Sequence, residues 1–127
     1  MEGDRARRLK PPLMETKVNR TLVKSAPELW ELADDGIRLE SWMGALLGSA
    51  RSLQIEVTDR EPERVLAWQT AGGTPFARIA LELTEKGFGT SVAITAHHRG
   101  AEPRATHALE NLLDELGSPE RQPFAHT

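Results

Sequence analysis

The chain has 127 residues, 39% of them hydrophobic and 28% charged, with a formal net charge of -3 and no cysteine. This is enough chain for one domain that buries roughly two-thirds of its unfolded surface, and it excludes disulfides, zinc–thiolate sites and thiol catalysis. The acidic balance speaks against a nucleic-acid face, and no apolar run approaches the roughly 18 residues that span a bilayer.

Residues 1–13 are polar and basic, with Arg5, Arg7, Arg8 and Lys10 partly offset by Glu2 and Asp4. They read as a flexible tail ended by Pro11 and Pro12, and they lack the apolar stretch of a secretory signal. A cytoplasmic location is expected. Met14 to Lys24 is predicted as a strand, since Thr16, Val18, Thr21, Leu22 and Val23 favour extended backbone. Ser25-Ala26-Pro27-Glu28 is a helix start, with Ser25 able to cap, Glu28 three residues on and proline in the first turn. Leu29, Leu32 and Ala33 recur at helical spacing beside Trp30, and Asp34-Asp35-Gly36 breaks that helix. A second helix carries Leu39, Trp42, Met43 and Leu46 on one face and stops at Gly48.

From Arg51 the period becomes two. Leu53, Ile55 and Val57 alternate with Gln54, Glu56 and Thr58, the pattern of a half-buried antiparallel strand. Asp59 to Glu63 reads as a charged turn. Val65 to Thr70, Phe76 to Thr84 and Thr90 to His98 are three further strands, separated by Ala71-Gly72-Gly73 and by Glu85-Lys86-Gly87-Phe88-Gly89. Pro103 then opens a helix whose Ala105, Ala108, Leu109, Leu112, Leu113 and Leu116 form one apolar stripe, closed by Gly117 and Pro119. Residues 118–127 show no periodicity and read as a tail. A strand, two short helices, a run of antiparallel strands and one amphipathic helix make an α+β layout. The last helix is expected on the concave side of the sheet.

No residue pattern declares a reaction. His97 and His98 are strand neighbours and point to opposite faces, so they cannot grip one metal together; no His-x-His or His-Glu-x-x-His spacing occurs. Parity with Val92, Ile94 and Ala96 turns His98 inward and leaves His97 beside Thr95. His107 lies on the last helix and His126 in the tail. Gly48-Ser49-Ala50 and Gly117-Ser118-Pro119 lack the nucleophile-elbow pattern, and Gly72-Gly73 is turn chemistry, not a phosphate loop. Asp34-Asp35 reads as a helix break and cap, and Glu82 as a solvent-facing strand residue. No metal or cofactor is expected.

Four segments in this order resemble the START/SRPBCC superfamily, the fold of polyketide cyclases and the birch pollen allergen. They are Ser25-Ala26-Pro27-Glu28-Leu29-Trp30 with Trp42 beyond it, Glu61-Pro62-Glu63-Arg64-Val65-Leu66-Ala67-Trp68, Gly87-Phe88-Gly89-Thr90-Ser91-Val92, and Leu109 to Leu116. The likeness spans Thr16 to Leu116. It implies a helix-grip fold over 14–117, with a curved sheet and the last helix on its concave face. The chain is short where the family carries a further hairpin, with only Ala45 to Arg51 in that place, and its last helix is short and lacks a tryptophan. Any pocket is therefore expected to be small. A second chain can complete a small pocket, so a homodimer is compatible with the sequence.

The resemblance implies a cavity lined by the second helix and the middle strands. Trp68, Trp42, Phe76 and His98 are its candidate ligand-binding residues. Trp68 ranks first, because its parity mates Leu66 and Thr70 make an apolar face with one polar group, and its indole N–H needs a partner that a ligand or pocket water could supply. Three functions follow. The first is a binding domain for a small hydrophobic molecule, without a catalytic constellation. The second is a cyclase- or dehydratase-like enzyme with His98 as the candidate acid or base. The third is a protein-interaction module resembling the heat-shock-protein ATPase activator branch.

Overall fold

A computed structural model describes residues 13–49, 53–72 and 76–118. The tails expected over 1–13 and 118–127 lie almost wholly outside these residues. The described residues form β1 (Met14–Leu22), α1 (Ala26–Ala33), α2 (Gly36–Leu47), β2 (Ile55–Glu61), β3 (Val65–Thr70), β4 (Arg78–Lys86), β5 (Gly89–His98) and α3 (Glu102–Gly117). The strands make one antiparallel five-stranded sheet in the order β1-β5-β4-β3-β2. The expected α+β helix-grip layout is the one observed. None of the described helices is long and apolar enough to cross a membrane.

The helices begin and end where local chemistry places them. Ser25 caps α1 by accepting from the Glu28 amide, while the Glu28 carboxylate accepts from the Ser25 amide at 3.0 Å. These bonds hold the Glu28 carboxyl below its ordinary range, chiefly through the Ser25 amide. Asp34 ends α1 and Asp35 starts α2 by accepting from the Ile37 amide at 3.0 Å. Gly48 ends α2 in the left-handed region at φ 67°, a conformation that costs a Cβ-bearing residue more.

The β1 and β5 strands run in register from Met14 opposite His98 to Leu22 opposite Thr90. Their far end closes tightly, because a Cβ on Gly89 would lie 1.9 Å from the Leu22 carbonyl oxygen. The charged stretch expected as a turn over Asp59–Glu63 is mostly strand. β2 continues to Glu61, with a bulge between Val57 and Asp59, and only Pro62–Arg64 turns. The Arg64 amide closes that turn on the Glu61 carbonyl at 2.9 Å. The bulge restores pairing after a break in alternation that polarity alone does not mark. On the open edge of the sheet it also twists a charged strand away from further pairing.

The core lies between the concave face and the helices. Ile79, Leu81, Val92 and Ile94 from the sheet are fully buried together with Leu29, Leu39, Met43, Leu46, Leu109, Leu112 and Leu113 from the helices. The predicted stripe of α3 is entirely buried. That helix packs chiefly on β1 and α2, with lighter contact to β5 and α1. Arg20 of β1 ties it down from the side, donating to Glu110 at 2.5 Å and Asp114 at 2.7 Å.

Candidate functional site

The inward rows of the sheet change character along the strands. Cross-strand pairing places Val18, Ile94, Leu81 and Leu66 in one row, all buried and all apolar. The neighbouring row is Thr16, Ala96, Ile79, Trp68 and Val57. The same register carries His98, Ala77 and Thr70 into the next. Thr16, Thr70 and His98 are 3%, 7% and 1% exposed, so three buried polar groups gather at one end of a largely apolar face, while Thr90 is buried at the other and donates to the Lys24 carbonyl.

These groups are hydrogen-bonded, as burial requires. The Gly100 amide donates to His98 Nδ1 at 3.3 Å. That bond leaves the proton of a neutral imidazole on Nε2, which lies 2.8 Å from Thr16 Oγ1 and donates to it. Burial lowers the proton affinity of His98 below its ordinary value, and the charge of Glu102 partly offsets this. The Gly100 amide cannot favour the charged ring while it donates to Nδ1, since that nitrogen would need its lone pair and a proton at once. The Ala77 amide donates to Thr70 Oγ1 at 3.2 Å. A ring with both nitrogens engaged is poorly placed for general acid–base work; either role first requires one of these bonds to break.

The tryptophans form the apolar side of this region. Trp68 is fully buried, and its Nε1 donates to the Leu39 carbonyl of α2 at 3.1 Å. The partner expected from a ligand or a water is thus supplied by the protein, because α2 lies directly over β3. The Trp42 ring lies 6.1 Å from that of Trp68, tilted by 43°. Its Nε1 donates to Glu115 of α3, so Trp42 joins the two helices that cover the sheet. Phe76 stands apart. It is 37% exposed, and the alternation that buries Ala77, Ile79 and Leu81 puts it out of phase with them. His98 and the two tryptophans therefore share the concave side, whereas Phe76 does not join them.

His97 is part-exposed and lies 3.3 Å from Glu15. His107 and Glu82 are exposed; His126 lies outside the described residues. No group of three or more metal-ligating side chains occurs among the described residues.

Sequence reasoning missed a surface groove of about 650 Å³ at the opposite end of the sheet, lined among others by Ala26, Pro62, Glu63, Arg64, Leu83 and Glu85. Glu63 sits there at φ 65°, a left-handed conformation rarely adopted by a non-glycine residue. The Pro62 turn was the one visible signal. None of Trp42, Trp68, Phe76 or His98 lines this groove. It is open, and its walls are the exposed ends of two hairpins.

No family model and no curated protein matches the chain. Solved structures do. The crystal structure of DR_A0006 from Deinococcus radiodurans is similar with a TM-score of 0.62 at 18% identity, over 82% of this chain and 98% of that one. The solution structure of the Aha1 dimer from Colwellia psychrerythraea gives 0.59 at 18% identity, over 82% and 96%. The crystal structure of Ara h 8.0201 gives 0.56 at 9% identity, over 83% and 93%. At such identities the likeness concerns backbone architecture, and it agrees with the strand order and helix placement described above. This chain has the helix-grip fold.

Proposed function

We propose that the domain binds a small, largely apolar molecule carrying one hydrogen-bonding group, at the His98 end of the concave face. The observation that supports this is the cluster of three buried polar side chains, Thr16, His98 and Thr70, at one end of a largely apolar face. Binding sites for small molecules combine apolar walls with a few placed polar groups. Trp68 and Trp42 are the aromatic wall. With its N–H committed to Leu39, Trp68 offers a ligand its ring alone. His98 is the polar anchor, and Phe76 is an outlying candidate just before β4. The volume is small, because α2 and α3 fill the concave side with Leu39, Met43, Leu109, Leu112 and Leu113, all nearly inaccessible to solvent.

The test is fluorescence of the Trp30→Phe, Trp42→Phe double variant, in which Trp68 is the remaining tryptophan. Titration with a panel of apolar aromatic and acyl compounds is expected to shift or quench its emission, and His98→Ala to weaken the response. A compound shown independently to bind that leaves Trp68 emission unchanged removes Trp68 from the site. A large lipid found wholly enclosed in a monomer overturns the small volume.

A second reading, an interaction module, is favoured by a different observation. Phe88 at the β4–β5 tip is fully exposed, and Val23 is 87% exposed. The tip adjoins the end of β1, since the Val23 Cα would lie 3.2 Å from a Cβ on Gly89. Two large apolar side chains in water at one corner suit a protein contact better than a ligand pocket. The similar Aha1 structure is of a dimer, and a second copy of this chain is the first partner to test, by sedimentation of the native protein and of Phe88→Ser.

A further inference from the structure

We propose that His98 is an acid-sensitive latch, whose protonation at Nδ1 breaks the bond from Gly100 and frees the first turn of α3 from the end of the sheet. The ring stands at a junction. Its own strand ends there, Thr16 holds it to β1 through Nε2, and Gly100 holds it to the three-residue link that leads into α3. Neutral imidazole suits both neighbours, donating to the hydroxyl and accepting from the amide. Imidazolium does not, because Nδ1–H would face the Gly100 N–H, donor against donor. The ring is 1% exposed, so no solvent stands ready to replace the lost bond.

The start of α3 lacks a side-chain cap, although Ala105 in its first turn is buried. Ala101, its N-cap residue, makes no side-chain capping bond, and the first backbone bond of the helix runs from the Ala105 amide to the Ala101 carbonyl at 3.1 Å. The C-terminal part of the same helix is fastened by Glu110 and Asp114 to Arg20 and by Glu115 to Trp42. A disturbance at Gly100 thus acts at the end of the helix that has no side-chain cap.

Charged groups about the ring do not remove the effect. Glu102 in the first turn of α3 favours the cation, and His97 on β5 opposes it. His97 is engaged with Glu15 of β1, and Arg78, which faces His97 from β4, is engaged with Asp59. The buried face of α2 carries Leu39, Trp42, Met43, Gly44 and Leu46, with no titratable group. Arg104 of α3 lies against Gly48 at the end of α2. Burial is the leading influence and lowers the proton affinity of His98 below the ordinary 6.5. The unfolded chain then binds the proton more readily than the native one. This contribution to stability is complete above pH 6.5 and is lost as pH falls through the lowered native value.

The latch is independent of the proposed ligand and is read in the unliganded protein. Amide hydrogen exchange would be measured at about pH 7.5 and about pH 5, with intrinsic rates corrected. Protection of the amides from Ala105 to Ala108 should fall roughly tenfold more than that of β4 and β5 in the native protein. In His98→Gln, whose amide can still donate to Thr16 but does not titrate, this excess loss should vanish. Nitrogen NMR of the native imidazole provides the second measurement, with the Nε2–H tautomer expected at neutral pH and conversion to imidazolium in step with the exchange change. An equal acid-induced loss in His98→Gln, unchanged protection in the native protein, or an Nδ1–H tautomer overturns the latch.

Discussion

The middle of the concave face and its His98 end are built from the same strands, yet they hold together by different means. In the middle, Val18, Ile94, Leu81 and Leu66 are buried with the leucines of α3, and the interaction is non-directional. At the end, Thr16, His98 and Gly100 are joined by two specific bonds, each of which depends on the position of a proton. The middle should tolerate changes of pH but not of volume, and the end little change in either.

Removing volume from the middle should have the largest effect. Leu112 is 1% exposed, and Leu112→Ala is expected to cost about 2–5 kcal/mol by denaturant unfolding. A loss under about 0.5 kcal/mol, typical of surface changes, would mean that α3 is not docked.

Thr16→Val sharpens the contrast, since it keeps the volume and removes the hydroxyl that accepts from His98. Leaving a buried N–H without a partner should cost about 1–3 kcal/mol. If instead the variant unfolds at the native denaturant midpoint, the end of the face is as non-directional as the middle.

Two smaller changes lie outside both regions. Ser25→Ala removes the capping box of α1 and should cost about 1 kcal/mol in the same measurement. Phe88→Ser, at a fully exposed tip, should alter stability by less than about 0.5 kcal/mol. If it nevertheless abolishes self-association, the interaction reading gains over the ligand reading.

Local patterns in the sequence marked most of the elements. Ser25 with Glu28, the Asp34-Asp35 break, Gly48 and the stripe from Ala105 to Leu116 are signals contained within a turn or two of chain, and each does in the structure what its chemistry demands. Alternation along β5 also placed His98 inward, because parity is a local property of a strand. The sequence ends β2 at Thr58, short of its observed end at Glu61, because a bulge is set by the register with β3, which no window of β2 contains.

The candidate site was legible only in part, and for the same reason. Residue types singled out Trp42, Trp68, His98 and Phe76, but type does not say what a side chain meets. That Leu39 satisfies Trp68, that Glu115 satisfies Trp42 and that Phe76 is out of phase with the buried residues of β4 depend on how α2 and α3 lie across the sheet. The sequence by itself determined most of the elements, their faces and their order, because these follow from hydrogen bonding and hydrophobic spacing between near neighbours. Tertiary structure alone decided that Thr16, His98 and Gly100 share one junction, since Thr16 and His98 are separated by 82 positions along the chain and meet only when the first strand pairs with the last.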